Sequence, residues 1–176
     1  VVLTALSVDN ENMRSRSTSG QASQFDAIIA TPAGQVGIVL NNGALADVSF
    51  LSESAELRSP RTAAAKEVCH QLQSYFTHPH SVFHVSLVLK GTPFQQRVWR
   101  ALRRIPSGQT LTYGALASKL STSARAVGNA CRANPVPIVI PCHRVVAANG
   151  MGGFMGKRSG GALRLKQWLL AHERDR

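Results

Sequence analysis

The chain has 176 residues, enough for one large domain or two small ones, and its 44% hydrophobic content is ordinary for a globular protein. Its net charge of +11 is not ordinary: residues 91–176 hold 14 Lys or Arg against 2 Asp or Glu, whereas residues 1–90 hold 6 against 7. A second half so basic points to a polyanionic partner, or else to a solvated basic surface, while no apolar run is long enough to span a bilayer.

Residues 7–24 are polar with almost no apolar periodicity, and 1–24 read as a flexible leader; the first six lack the basic region and long apolar core of a secretory signal. Three short apolar segments follow, 25–31, 35–40 and 44–50. They are separated by Pro32-Ala33-Gly34 and Asn41-Asn42-Gly43, which predicts an antiparallel meander with Asn42-Gly43 at a hairpin. Ser59 and Pro60 then offer an N-cap and a first-turn proline. Ala65, Val68, Leu72, Tyr75 and Phe76 recur at helical spacing, so one helix is expected to cover the sheet. Residues 82–89 form a further strand or an extended connection.

The second half opens on Thr92-Pro93-Phe94-Gln95, a capping box with proline at the first helical position. Phe94, Val98, Leu102 and Ile105 make one apolar stripe, with Arg97, Arg100, Arg103 and Arg104 largely off it, and Pro106-Ser107-Gly108 ends the helix. Two short helical patterns, 113–120 and 124–133, are joined by Ser121-Thr122-Ser123, a spacing that suggests either a helix-turn-helix or an ordinary pair of antiparallel helices. In the second of them Val127, Ala130, Cys131 and Asn134 share one face. Arg125, Gly128, Asn129 and Arg132 share the other, small and basic enough to approach a DNA backbone.

Asn134-Pro135 stops that helix and begins an extended approach to Pro141-Cys142-His143. A thiol becomes a strong nucleophile when a neighbour takes its proton, and imidazole does so near neutrality, which makes Cys142 a candidate thiolate nucleophile and His143 its candidate base. The competing reading is a small buried cysteine beside a satisfied histidine. Adjacent side chains on a strand diverge, so contact between the two requires a bend, as Pro141 allows, or a bridging water. The last helix, about 162–172, places Leu165, Trp168, Leu169 and His172 on one side. Glu173 at its end is locally unfavourable beside the negative helix C-terminus and calls for a cationic partner, unless it is a frayed surface residue.

Other constellations carry less. Cys69, Cys131 and Cys142 are an odd number without a close-set framework, which suits a reduced intracellular protein. Cys69, His70, His78, His80 and His84 follow no ligand spacing, so no metal and no cofactor is expected. The glycines of 150–161 lack the order of a nucleotide-binding loop, and no repeat is visible.

Residues 134–146, Asn-Pro-Val-Pro-Ile-Val-Ile-Pro-Cys-His-Arg-Val-Val, closely resemble the active-site signature of the O6-alkylguanine-DNA alkyltransferases, also called methylated-DNA protein-cysteine methyltransferases. The resemblance extends through Thr112-Tyr113-Gly114, Ala124-Arg125-Ala126-Val127-Gly128 and Lys166-Gln167-Trp168-Leu169-Leu170-Ala171-His172-Glu173, nearly all of residues 91–173; residues 25–90 match more loosely. It implies an α+β chain in three parts: the leader 1–24, a ribonuclease H-like domain over 25–90 with a small antiparallel sheet and covering helix, and a mainly helical DNA-binding and alkyl-transfer domain over 91–176 containing a helix-turn-helix. It further implies direct reversal of damage, in which the alkyl group of O6-alkylguanine, or of O4-methylthymine, passes irreversibly to Cys142 after base flipping, once per protein molecule.

On the same resemblance His143 is the base, acting through a water, Glu173 the carboxylate that orients it, and Asn134 a hinge that fixes the backbone before the nucleophile. Tyr113 assists flipping, Arg125 fills the vacated stack, and Ala126, Gly128 and Arg132 belong to the helix that reads double-stranded DNA through the minor groove. The carbonyls of Cys142 and Val145 receive the guanine amino group. The segment between Val146 and Lys166 is several residues longer than the usual Gly-Tyr-x-Gly-Gly stretch: Phe154 stands for the tyrosine, Met155 or Ser159 takes the next position, and Lys157 with Arg158 offers an additional phosphate contact. A monomer in the cytoplasm, associated with intracellular DNA, is the expected state. The alternatives are a damage-recognition protein that binds alkylated DNA without repairing it, a thiol-sensing transcription regulator, and a cysteine hydrolase.

Overall fold

The computed structural model describes residues 24–174, and the chain divides into two compact units between Val88 and Leu89. All of the expected leader except Gln24 lies outside the described residues.

The first unit is a three-stranded antiparallel sheet, β1 (Ala27–Thr31), β2 (Gly34–Asn41) and β3 (Ala44–Leu51) in that order, with one helix, α1 (Ala63–Thr77). The β2–β3 hairpin turns on Asn42 and Gly43, with φ of 50° and 79°; asparagine and glycine tolerate the left-handed region that a tight hairpin of this hand requires. Pairing runs Val36↔Phe50 and Ile38↔Val48, then slips so that Leu40 faces Leu45, leaving Ala46 as an extra residue. That bulge changes the phase of β3, so Leu45, Val48 and Phe50 all reach the core despite uneven spacing. The buried side of α1, formed by Ala65, Val68, Cys69, Leu72, Tyr75 and Phe76, packs on the sheet chiefly at β1 and β2.

The N-cap of α1 is Thr62, whose hydroxyl accepts from Ala65 N at 3.1 Å, and not Ser59. Arg58 is held to β1 by two backbone bonds with Ile28, and Pro60 keeps Ser59 extended, so the helix starts later than the proline suggested. Residues 82–88 are extended, with Leu87 bridged to Leu45.

The second unit contains α2 (Pro93–Leu102), α3 (Tyr113–Lys119), α4 (Ala124–Arg132) and α5 (Gly161–Arg174), and a two-stranded parallel ladder of β4 (Leu111–Thr112) and β5 (Val145–Val146). The capping box of α2 is complete: Thr92 accepts from Gln95 N, and the Gln95 side chain accepts from Thr92 N. Such a cap contributes about 1 kcal/mol. Val98, Leu102 and Ile105 are buried, but the largest buried side chain of α2 is Trp99, whose indole N–H donates to the Ala130 carbonyl at 2.9 Å and ties α2 to α4. Arg97, Arg100, Arg103 and Arg104 are exposed. The helix ends at Leu102 because Pro106 pushes Ile105 away from helical geometry.

Thr112 and Ser123 cap α3 and α4 with their hydroxyls, on Ala115 N and Ala126 N. Val127, Ala130 and Cys131 face inward and Arg125, Asn129 and Arg132 outward. No described helix is long and apolar enough to cross a membrane.

Candidate active site

Residues 134–141 do not form a strand. Pro135, Pro137 and Pro141 remove three backbone donors, and the segment instead winds through a turn closed by Ile140 N to Val136 O at 2.9 Å, with Ile138 at a φ of 73°. The turn is organised from inside by Asn134. Its amide nitrogen donates to the Ile140 carbonyl at 2.8 Å and its amide oxygen accepts from Val136 N at 3.0 Å. The chain then enters a single 3-10 turn, Cys142–Arg144, before β5. Pairing of Leu111 with Val145 brings the start of α3, Tyr113, alongside this turn.

The 3-10 turn is buried, including its polar members: His143 is 0% exposed and Arg144 9%. Their common partner is Glu173 in the last turn of α5, itself 1% exposed. His143 Nε2 lies 2.8 Å from Glu173 Oε1. Arg144 grips the same carboxylate with Nε and Nη2, each at 2.9 Å, and donates through Nη1 to the Ile105 carbonyl at 2.6 Å. Gly108 N adds a weaker contact at 3.3 Å. Burial alone would raise the Glu173 carboxyl, but hydrogen bonds from His143 and Arg144 and the charges behind them outweigh it and hold the carboxyl well below its usual range.

An anionic Glu173 settles the histidine. The imidazole nitrogen facing it carries the proton, which leaves Nδ1 with a free lone pair; that atom is buried and has no partner among the described residues. Burial pushes the His143 pKa below its ordinary value, against the pull of Glu173, so the ring is neutral at rest. This is the base form.

Cys142 is 5% exposed, and burial raises its thiol pKa despite a hydrogen bond from the Asn134 side chain and the positive charge of Lys166. The resting group is therefore a neutral, buried thiol and not the accessible thiolate expected from the Cys-His pair, because desolvation penalises the anion more than its partners favour it.

Two members of this cluster were not visible as site residues in the sequence. Arg144 is the cation that Glu173 required. Lys166 is 0% exposed, and its ammonium donates to the carbonyls of Val145 at 2.6 Å, Met151 at 2.7 Å and Gly153 at 3.0 Å, using all three protons. Burial lowers its pKa to about 8, with Cys142 and Cys131 opposing the drop. A signal existed: the inward face of α5 is Ala162, Leu165, Lys166, Leu169, Leu170 and Glu173, so both charged residues lie on an apolar stripe, while Trp168 and His172 are only half-buried.

The remaining expected positions are spread around this centre. Tyr113 is half-buried; its hydroxyl donates to the Gly153 carbonyl at 3.2 Å, and burial raises its pKa. The Val145 carbonyl accepts from Lys166, which leaves it a second lone pair. Phe154 is buried, Met155 half-buried at a φ of 50°, and Ser159 exposed. Ala126 and Gly128 are half-buried and Arg125 and Arg132 exposed on α4. No described group of three or more His, Cys, Asp or Glu could hold a metal. A cavity of about 460 Å³ lined by Ala101, Arg104, Ile105, Gln109, Leu116 and Lys119, among others, shares with the cluster only Ile105.

Two buried titrating groups give a pH dependence of stability. The folded chain excludes a proton from His143 that the unfolded chain binds below about pH 6.5, and it keeps Glu173 ionised where the unfolded chain protonates it below about pH 4.5. Both contributions are complete near neutrality and are lost on acidification. The melting temperature is expected to fall from pH 6.5 downward and to fall further below 4.5; a level melting curve between pH 7 and 5 would contradict a buried neutral histidine.

Comparison with known proteins identifies the family. The family described as "6-O-methylguanine DNA methyltransferase, DNA binding domain" matches residues 93–175. A methylated-DNA–protein-cysteine methyltransferase of Methanosarcina acetivorans is 36% identical over 156 residues, 85% of this chain and 97% of its own length. One from Mycolicibacterium paratuberculosis is 42% identical over 140 residues, 77% of this chain and 81% of its own. The crystal structure of Mycobacterium tuberculosis O6-methylguanine methyltransferase superposes with a TM-score of 0.71 at 36% identity, covering 85% of this chain and 92% of that one. The same organism's OGT in complex with DNA gives 0.70 at 36%, covering 84% and 91%. With relatives of this identity along most of its length, the chain belongs to the methylated-DNA–protein-cysteine methyltransferase family.

Proposed function

We propose that this chain repairs DNA by direct reversal, taking the methyl or larger alkyl group of O6-alkylguanine onto Cys142. The observation that carries the reading is the buried Glu173–His143 pair next in the chain to the neutral, buried Cys142 thiol, with Asn134 hydrogen-bonded across the turn before it. His143, with Nδ1 free, takes the thiol proton through a water as the sulfur attacks the alkyl carbon. The S–C bond forms, the C–O6 bond breaks, and its electron pair returns to the purine, which takes up one proton, balancing the one that left the thiol, to give guanine. A thioether is a very poor leaving group, so each molecule acts once. O4-methylthymine offers the same alkyl–oxygen bond and is assigned as a second substrate.

The O6 substituent inside a duplex lies out of reach of a buried sulfur, so the damaged nucleotide must be extruded. In this reading α3 and α4 are a helix-turn-helix that enters the minor groove, with Ala126 and Gly128 allowing close approach. Arg125 occupies the vacated stack and Tyr113 assists extrusion, while the carbonyls of Cys142 and Val145 hold the guanine amino group. The second unit thus serves DNA binding and transfer, and the first is read as a ribonuclease H-like domain. The partner is double-stranded DNA bound by a monomer. The exposed arginines of α2 and α4 and the DNA complex of the mycobacterial relative support DNA as that partner.

The test is intact mass after incubation with duplex DNA containing O6-methylguanine. One methyl group on Cys142, saturating at one per chain, is the expected result. Tight binding with unchanged mass would replace the repair reading with that of a non-enzymatic recognition protein.

A further inference from the structure

The loop between β5 and α5 contains a small hairpin whose cations have no role in the relay. Phe154 and Lys157 exchange two backbone bonds at 2.9 Å, and Met155 and Gly156, at φ of 50° and 80°, form the two-residue turn between them. The hairpin is fastened at several points. Phe154 is buried beneath it; the Gly153 carbonyl accepts both Tyr113 Oη at 3.2 Å and Lys166 Nζ at 3.0 Å; and Lys166 also holds Met151. It lies close against α3 and α4: a Cβ at Gly152 would fall 2.9 Å from the Tyr113 ring, and one at Gly156 2.9 Å from Arg132 Nε. Arg158 folds back within reach, its Cγ 3.7 Å from where a Gly153 Cβ would stand.

The result is a rigid platform that places Lys157 and Arg158, both exposed, next to the basic outer face of α4. Among the described residues no carboxylate forms an ion pair with them. The sequence has no Asp or Glu between Glu67 and Glu173, and Glu173 is buried and occupied by Arg144 and His143. Among the described residues Arg125, Arg132, Lys157 and Arg158 make no ion pair. Clustered exposed cations without counter-charges repel one another, and they persist at little cost when a polyanion neutralises them. A hairpin needed only to close over a pocket does not require two adjacent cations at its base.

We propose that the 153–158 hairpin is a second phosphate clamp, in which Lys157 and Arg158 bind the duplex backbone beside the strand contacted by α4. The inference rests on the DNA reading above and adds a contact outside the two-helix element. Because Lys166 and Tyr113 hold the hairpin in place before DNA arrives, little ordering entropy is lost when it engages. The same fastening links phosphate contact to Tyr113 and Lys166, both of which donate to the Gly153 carbonyl.

The test compares the full chain with Lys157→Ala/Arg158→Ala on an undamaged duplex across a salt series. Two lost phosphate contacts reduce the slope of log K against log salt by about 1.8, at about 0.9 per phosphate. The charge-preserving Lys157→Arg/Arg158→Lys variant keeps the parent slope, and melting curves confirm that both variants fold. A second readout compares alkyl transfer from a modified duplex with transfer from the free base O6-benzylguanine, which has no phosphates. The duplex rate is expected to fall more than the free-base rate. An unchanged salt slope, or equal losses on the two substrates, would overturn the clamp and leave the hairpin as packing beside Tyr113 and Lys166. If the parent chain itself neither binds duplex DNA nor gains a methyl group, it is the DNA reading that fails, so the two failures are distinguishable.

Discussion

Cys142→Ala is expected to abolish methyl uptake completely while leaving duplex binding within a few fold of the parent chain. The sulfur is the only atom in the cluster that can hold a transferred methyl group as a stable thioether. Neither of the other thiols is expected to replace it: burial pushes Cys69 up to about 11 and raises Cys131 well above its ordinary value, and neither adjoins the buried His143–Glu173 pair in the chain. Losing one buried sulfur costs about 1 kcal/mol, so the variant should fold and the basic surface of α4 should still face DNA. Intact mass gives the first half of the result and a gel-shift titration the second. Methyl uptake that persists in the variant and maps to Cys131 would move the nucleophile and dissolve the assigned relay.

Local signals in the sequence located much of this arrangement, and nonlocal geometry supplied the rest. The capping box at Thr92 and the Asn42-Gly43 hairpin are decided by chemistry within four residues, and both are as expected. The inward set of α4 follows from helical period alone. The segment before Cys142 misled because Ile-Val-Ile has strand character, whereas three prolines and an asparagine that satisfies the freed backbone groups decide its path. Arg144 was hidden because its partner lies 29 residues away, on a different element. Lys166 was hidden by the ordinary assumption that a lysine on a helix faces water, although its place on the apolar face of α5 contradicts that assumption. Glu173 was legible as an anomaly before its partner was: a carboxylate at a helix C-terminus is disfavoured, and two cationic or proton-donating side chains resolve it here.

A neutral thiol at rest has a chemical consequence. A permanently exposed thiolate is open to oxidation, whereas a buried neutral thiol is protected until a base takes its proton, the role proposed above for His143. The thiol pays no standing desolvation penalty for a full charge, and Asn134 and Lys166 favour the anion as it develops.

Glu173→Gln therefore tests the relay itself. Glutamine keeps the shape and one acceptor but removes the anion that fixes the His143 tautomer and raises its basicity against burial. Loss of a positioned base typically lowers a proton-transfer step by about 10²–10⁴-fold, so a thousandfold slower single-turnover rate, about 4 kcal/mol, is expected. Arg144 would be left buried without its counter-ion, and breaking such a pair costs about 3–5 kcal/mol of stability, so rates must be taken well below the lowered melting temperature. A structural effect and a chemical one separate in the pH profile. If Glu173 only stabilises the fold, the surviving molecules react at the parent rate and with the parent pH dependence. If it sustains the base, the rate falls at every pH near neutrality and recovers in part as rising pH ionises Cys142 without help from His143. A rate within a few fold of the parent, in a variant shown to be folded, would reduce Glu173 to a structural anchor for Arg144.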